Sequence, residues 1–284
     1  MTTLRAIAIL VIFLVLTVLS IPWQLFSLTF KLKGRKTFPY HFQKFLCNLF
    51  GIRVTVLGTP VQDRGVLMVA NHTGYFDIPI LGSAAQVSFV AKSEVKSWPF
   101  FGLLATLQET VYIDRSKKSR AGESREVLRA RLLADDALVL FPEGTSSDGN
   151  RVHKFKSALI GAAEAQLGTG IAGDAQEILV QPVSIAYVGL HGMPMGRENR
   201  ALYAWYGDME LVPHLWEALK TGPFEAVVEF HQPIAVGQAG GRKEVAALAE
   251  TVVRQGLMRA LNGIPTSRGR HAPRADGALA KAAL

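Results

Sequence analysis

The 284-residue chain has a single cysteine, Cys47. One cysteine excludes an intrachain disulfide framework and a Cys-rich zinc site, and it fits a reducing compartment. No H-E-x-x-H string is present, so the sequence offers no zinc-hydrolase motif and implies no metal. No G-x-S-x-G elbow occurs either. The nearest string, GTSSDG from Gly144, has the wrong spacing, which leaves a serine-nucleophile hydrolase without support. The run GTGIAG, Gly168 to Gly173, does match G-x-G-x-x-G. It follows a helix-like stretch and precedes the strand-like ILVQPV, the reverse of the order a dinucleotide site needs. It reads as a helix C-terminus with a Gly-rich turn, so no nucleotide cofactor is expected. Acidic residues are in the minority, 23 against 31 Lys and Arg, with a pI near 9.7. Such a balance suits nucleic acid or an anionic membrane surface. Neither basic segment interleaves aromatics and no RNA- or DNA-binding signature appears, which favours the membrane.

Charge is also missing from Ala6 to Phe30, AIAILVIFLVLTVLSIPWQLFSLTF. Such a run exceeds the ~20 apolar residues that cross a hydrocarbon core. Pro22 interrupts it, so the sequence allows a kinked spanning helix or two short helices dipping into one leaflet. No small-x-small cleavage site follows, and a retained membrane element is expected rather than a signal peptide. The cluster KLKGRK comes next, with Lys31, Lys33, Arg35 and Lys36. By the positive-inside rule it puts the residues after it on the cytoplasmic side of the inner membrane. The tail from 263 to 284 is rich in Ala, Gly, Pro and Arg and reads as disordered.

Between these lies one domain, taken as 37–262. Its first stretch, Pro39 to Ile52, has amphipathic helical spacing. Strand-like runs occur at 54–57, 66–70, 87–91, 110–113, 137–141, 178–185, 201–206 and 226–230, with helix-like stretches at 119–133, 155–167, 213–221 and 242–261. The alternation predicts an α/β fold with a central mixed, largely buried sheet flanked by helices, preceded by the N-terminal membrane-embedded segment.

The segment LMVANHTGYFDIPIL, Leu67 to Leu81, places His72 and Asp77 five positions apart. On a regular helix such residues point about 140° apart and cannot meet. They meet if His72 sits in a strand-to-helix turn and Asp77 in the first helical turn. Asp77 then holds one imidazole nitrogen and leaves the other as a general base. The alternative is a structural turn, with Asn71 capping a helix and His72 a satisfied buried histidine. The spacing alone leaves both open.

Four ordered blocks carry a resemblance. NHTGYFD supplies Asn71, His72 and Asp77. VYIDR supplies Tyr112, Ile113, Asp114 and Arg115. FPEGTSS supplies Phe141, Pro142, Glu143, Gly144 and Thr145. VQPVSI supplies Val180, Pro182 and Val183. In this order and spacing, over roughly residues 52 to 185, the chain resembles the glycerolipid acyltransferase superfamily. The resemblance implies transfer of a fatty acyl group from acyl-CoA or acyl carrier protein to a lysolipid hydroxyl. His72 would act as general base oriented by Asp77, without a protein nucleophile. It further implies that Lys92, Arg115, Glu143, Gly144 and Thr145 bind substrate, with 1-acylglycerol-3-phosphate as acceptor and phosphatidic acid as product. Ser146 departs from the pattern, standing where many such members carry Arg. The stretch ALYAWYGDMELVPHLWEAL is similar to a branch acting on lyso-ornithine lipid, which makes that lipid the alternative acceptor. A lipid-binding protein without chemistry is the remaining alternative, and the His72–Asp77 pair speaks against it. His153 reads as a surface residue, and His41, His191, His214, His231 and His271 acquire no role.

Overall fold

The computed structural model describes residues 2–62, 64–114, 121–163 and 178–263. Arg115, the GTGIAG run and the tail beyond 263 lie outside the described residues.

Two helices open the chain, α1 (Thr2–Thr29) and α2 (Gly34–Phe50). Strand β1 (Ile52–Leu57) leads to β2 (Val66–Ala70), whose five residues are all buried. Next come α3 (Asp77–Ala84), β3 (Ser88–Lys92), α4 (Phe101–Leu107), β4 (Val111–Ile113), α5 (Ala121–Leu133) and β5 (Ala137–Leu140). The second half holds the long β6 (Leu179–Leu190), a two-residue β7 (Met193–Pro194), α6 (Arg197–Arg200), α7 (Leu211–Thr221), β8 (Phe224–Phe230), a two-residue β9 (Ile234–Ala235) and α8 (Arg242–Leu261).

The strands form one mixed sheet in the order β1-β8-β6-β2-β5-β3-β4, with β7 and β9 flanking β6. The strands β6, β2, β5, β3 and β4 run parallel, and β8 lies antiparallel to β6. Continuous apolar runs such as VLMVA and ALVL are what a strand covered on both faces requires. One face packs on α5 and α8 through Leu128, Leu132, Val245 and Val253, and the other on α3 and the aromatic group Phe76, Tyr203 and Phe224. Because the central strands are parallel, their C-terminal ends converge on one edge, where open α/β sheets place ligands. His72, Lys92 and the FPEGT turn all lie at such ends.

The structure revises the sequence reading in several places. Pro22 does not break the first helix, which continues through it to Thr29. Helix α2 starts at Gly34, well before Pro39. The 201–206 run is a loop, because its backbone is bound across to the turn that carries His72 instead of to a strand. Within 155–167, the described residues hold only a single 3₁₀ turn, Ile160–Ala162. Helices α3 and α4 add short apolar elements, α4 being too short to show a helical period.

Candidate active site

Strand β2 ends at Ala70, and Asn71 anchors the turn beyond it. Its amide donates to Ile185 O (2.9 Å) and accepts from Ile185 N–H (2.8 Å), tying the turn to β6. Asn71 is therefore a clamp between strands rather than the helix cap of the structural alternative. The chain then reverses through Thr73 and Gly74, and Asp77 opens α3.

His72 and Asp77 meet as the turn geometry requires. Asp77 Oδ2 lies 2.8 Å from His72 Nδ1 and accepts the Thr73 (2.6 Å) and Gly74 (3.1 Å) N–H groups. Its Oδ1 accepts the Tyr187 hydroxyl at 2.7 Å. A carboxylate with three other donors in place can take only an N–H from the imidazole, so Nδ1 carries the proton and Nε2 is left with its lone pair. Asp77 is fully buried while the His72 side chain keeps 23% of its surface exposed. The Phe141 ring lies nearly parallel to the imidazole, 4.0 Å away, and fixes its plane.

Glu143 takes a place different from the one the substrate-binding reading expects. It is 2% exposed. One oxygen accepts His72 N–H and the other His153 N–H, both at 2.7 Å. Burial pushes its carboxyl up to about 7 against the pull of these two donors. Its carboxylate thus stitches the FPEGT turn to the His72 turn. Ser147 N–H adds a second stitch to His72 O at 2.9 Å.

A cavity of about 490 Å³ opens at this edge and is lined by His72, Lys92, Gly144, Thr145 and Ser146. Its lining also includes Phe89 and Val90 of β3, Leu46 and Phe50 of α2, Phe101 and Leu104 of α4, and Phe13 of α1. The paired amides of Gln43 and Gln108, 2.8 Å apart, line it as well. Of the expected site residues, the structure brings His72, Lys92, Gly144 and Thr145 to one cavity, with Asp77 and Glu143 buried behind His72. A second cavity of about 420 Å³, lined by Arg35, Lys36, Arg64, Glu109 and Asp136, lies at the N-terminal ends of β3 and β5, away from His72. Cys47 is buried with its thiol toward Pro79 O and pushed up to about 11 by burial. It does not line the catalytic cavity, as expected of a core residue.

Several site residues carried no signal of their own in the sequence. Tyr187 buttresses Asp77 from β6. Trp205 reaches the cavity from the loop before α7, with its N–H on Thr73 O (3.0 Å) and its carbonyl accepting from Ser146 Oγ. Tyr75 bonds His214 Nδ1 at 2.7 Å, so His214 supports the cavity wall after all. Tyr75 stood inside the NHTGYFD block, and Trp205 and His214 lie in the ALYAWYGDMELVPHLWEAL stretch, whose resemblance assigned neither a role.

A histidine held by a buried carboxylate, with no cysteine beside it and an apolar cavity before it, is an arrangement suited to activating a substrate hydroxyl for acyl transfer. The acyltransferase family model matches residues 52–186. A lyso-ornithine lipid O-acyltransferase of Brucella abortus is 42% identical over 262 residues, covering 92% of this chain and 97% of its own length. The Rhizobium meliloti protein of the same name is 42% identical over 89% of this chain and 85% of its own. A 1-acyl-sn-glycerol-3-phosphate acyltransferase of Neisseria gonorrhoeae is 27% identical over 68% of each chain. The crystal structure of PlsC from Thermotoga maritima, a 1-acyl-sn-glycerophosphate acyltransferase, shares the fold, with a TM-score of 0.62 over 94% of this chain and 100% of that one at 24% identity. The chain belongs to the acyltransferase family and is an O-acyltransferase.

Proposed function

We propose that this enzyme transfers a fatty acyl group from a thioester donor, acyl-CoA or acyl carrier protein, to the free hydroxyl of lyso-ornithine lipid. The observation that carries the chemistry is the His72–Asp77 pair at the mouth of the apolar cavity. Nε2 removes the acceptor's hydroxyl proton as its oxygen attacks the thioester carbonyl. The tetrahedral intermediate expels the thiolate, which takes the proton back from the imidazolium stabilised by Asp77. Gly144 and Thr145 line the same cavity, and their backbone is available to the oxyanion. The apolar length between α2 and α4 suits an acyl chain.

Two observations favour this acceptor over 1-acylglycerol-3-phosphate, the first expectation from sequence. The relatives matching nearly the whole chain at 42% identity bear the lyso-ornithine name, whereas the glycerol-phosphate enzyme of Neisseria gonorrhoeae matches at 27% over 68% of the chain. Ser146 also withholds the arginine expected for a phosphate, and its hydroxyl is committed to Trp205. A third feature supports a reaction at a bilayer. Among the described residues, α1 is one helix long and apolar enough to cross it, and the basic KLKGRK cluster favours the cytoplasmic side of the inner membrane.

The test is an acceptor panel of lyso-ornithine lipid, lysophosphatidic acid, lysophosphatidylcholine and glycerol-3-phosphate, each with acyl-CoA and acyl carrier protein, reading ester formation. The expected result is preferred acylation of lyso-ornithine lipid. Preference for lysophosphatidic acid overturns the acceptor, and ester formation with none of them overturns the activity.

A further inference from the structure

The mouth of the catalytic cavity is chemically lopsided. Among its described lining residues Lys92 is the one Lys or Arg, and there is no Asp or Glu. Lys92 is exposed and has no carboxylate within ion-pair distance among the described residues. Two tryptophans from separate segments meet nearby. Trp98, between β3 and α4, and Trp205, before α7, lie edge to face with ring centroids 5.9 Å apart.

Trp205 is held by more than packing. Its N–H bonds Thr73 O in the catalytic turn, its carbonyl takes the Ser146 hydroxyl, and its indole N–H donates to Met209 O at 2.8 Å. A Cβ on Gly74 would stand 2.8 Å from the Trp205 nitrogen, so the turn that carries His72 can approach this closely only with glycine there. Trp205 is thus tied to the His72 turn by one backbone bond and to the FPEGT turn by the Ser146 hydroxyl.

A headgroup carrying both an ammonium and a carboxylate finds one partner of each kind here. The carboxylate can pair with Lys92. Among the described lining residues the ammonium meets no acid, and the two indole faces are groups there that attract a cation. We propose that Trp205, with Trp98, forms an aromatic clamp for the side-chain ammonium of an amino-acid headgroup. Lys92 binds its carboxylate, and Ser146 acts as the positioning residue that sets Trp205. This rests on the acceptor assigned above and names the residues that select it.

The experiment compares kcat and KM of the full-length enzyme for lyso-ornithine lipid and for its δ-N-acetyl derivative, with palmitoyl-CoA as donor. Wild type is expected to show a KM about tenfold higher for the acetylated acceptor, which has lost the cation. Trp205→Leu should raise KM for lyso-ornithine lipid until the two acceptors become equal, with little change in kcat, while Trp205→Phe keeps most of the discrimination. Ser146→Ala should narrow the ratio in the same sense. Lys92→Gln should raise KM for both acceptors and preserve their ratio. Should Trp205→Leu fail to fold, Trp98→Leu, on another segment, gives the same reading. A wild type that does not distinguish the acceptors overturns the clamp, as does a Trp205→Leu or Trp98→Leu variant that keeps the ratio. A wild type that acylates lysophosphatidic acid in preference to lyso-ornithine lipid overturns the acceptor assignment instead.

Discussion

At the scale of single residues, Asp77 and Glu143 are buried carboxylates with different partners, and their variants should fail differently. In Asp77→Asn the amide oxygen can still accept the Thr73 and Gly74 N–H groups and the imidazole, and the amide nitrogen can donate to the Tyr187 oxygen. The turn survives but the charge opposite the imidazolium is gone. Turnover should fall by about 10²- to 10⁴-fold with the melting temperature little changed, matching the loss on His72→Ala. Near-wild-type turnover for either variant would sink the general-base mechanism. Glu143→Gln presents an amide to two backbone donors, and one of the His72 and His153 N–H groups must face another donor. An unpaired buried N–H costs about 1–3 kcal/mol, so this variant should lose stability as well as activity. Denaturant unfolding distinguishes the two: a Glu143→Gln protein as stable as wild type would show that the stitch is dispensable.

At the scale of elements, the junction of β6, β8 and α8 holds a buried chain of polar groups away from the active site. Ser184 Oγ lies 2.8 Å from His231 Nε2, His231 Nδ1 is 3.7 Å from Glu229, and Arg259 of α8 bonds Glu229 at 3.0 Å. The order resembles a hydrolase triad, but Ser184 is covered by α8, where Gly256 leaves no room for a Cβ against its hydroxyl. Burial lowers the His231 pKa, reinforced by Arg259 and opposed by Glu229. The unfolded chain therefore binds a proton below about 6.5 that the folded protein refuses, and this share of stability, complete above that pH, is lost as pH falls. Glu143, pushed up to about 7, acts in the opposite sense, while His214, lowered by burial, adds to the same slope. Thermal melts from pH 8 to 5.5 should show His231→Gln losing less stability on acidification than wild type; parallel curves would refute the assignment.

The same scale shows what could be read from sequence. Strands β2, β5 and β6 were legible because a strand buried on both faces must be apolar throughout. The spacing of His72 and Asp77 was legible as a turn because no regular element lets them meet. The 201–206 run misled because Tyr203 and Ala204 are buried as strand residues are, while the backbone beside them answers to Thr73 and Ser146, partners more than fifty positions away. Glu143 misled for a related reason. Its block marks it as part of the site, but only the fold shows its carboxylate taken up by two backbone donors. Long-range tethers of this kind leave no period in the sequence.

At the scale of the whole molecule, α1 bears on how the enzyme meets its lipid. Arg5, near its start, donates to Leu219 O and Phe50 O, and Gln24, near its end, donates to Arg35 O and Leu107 O. These anchors stand about 28 Å apart along the axis at 1.5 Å per residue. Ala6, Ile9, Phe13, Thr17, Gln24 and Ser27 form the face packed on the domain, and Phe13 lines the catalytic cavity. The opposite face exposes Val11, Val15, Leu19, Trp23 and Phe26. A helix fastened at both ends cannot cross a bilayer by itself as a free tether. Its exposed apolar flank is then the surface left for lipid. Leu19→Asp, on the exposed face, should lower the membrane-bound fraction in flotation with anionic vesicles by at least about tenfold, since a charge in the apolar region costs about 2.5–3.5 kcal/mol. The melting temperature and the turnover of short-chain acceptors in detergent should stay close to wild type. Phe13→Ala, on the packed face, should reverse the pattern, keeping flotation and losing turnover of long-chain donors. Equal flotation of Leu19→Asp and wild type would mean that α1 is not the surface that holds this enzyme to the membrane.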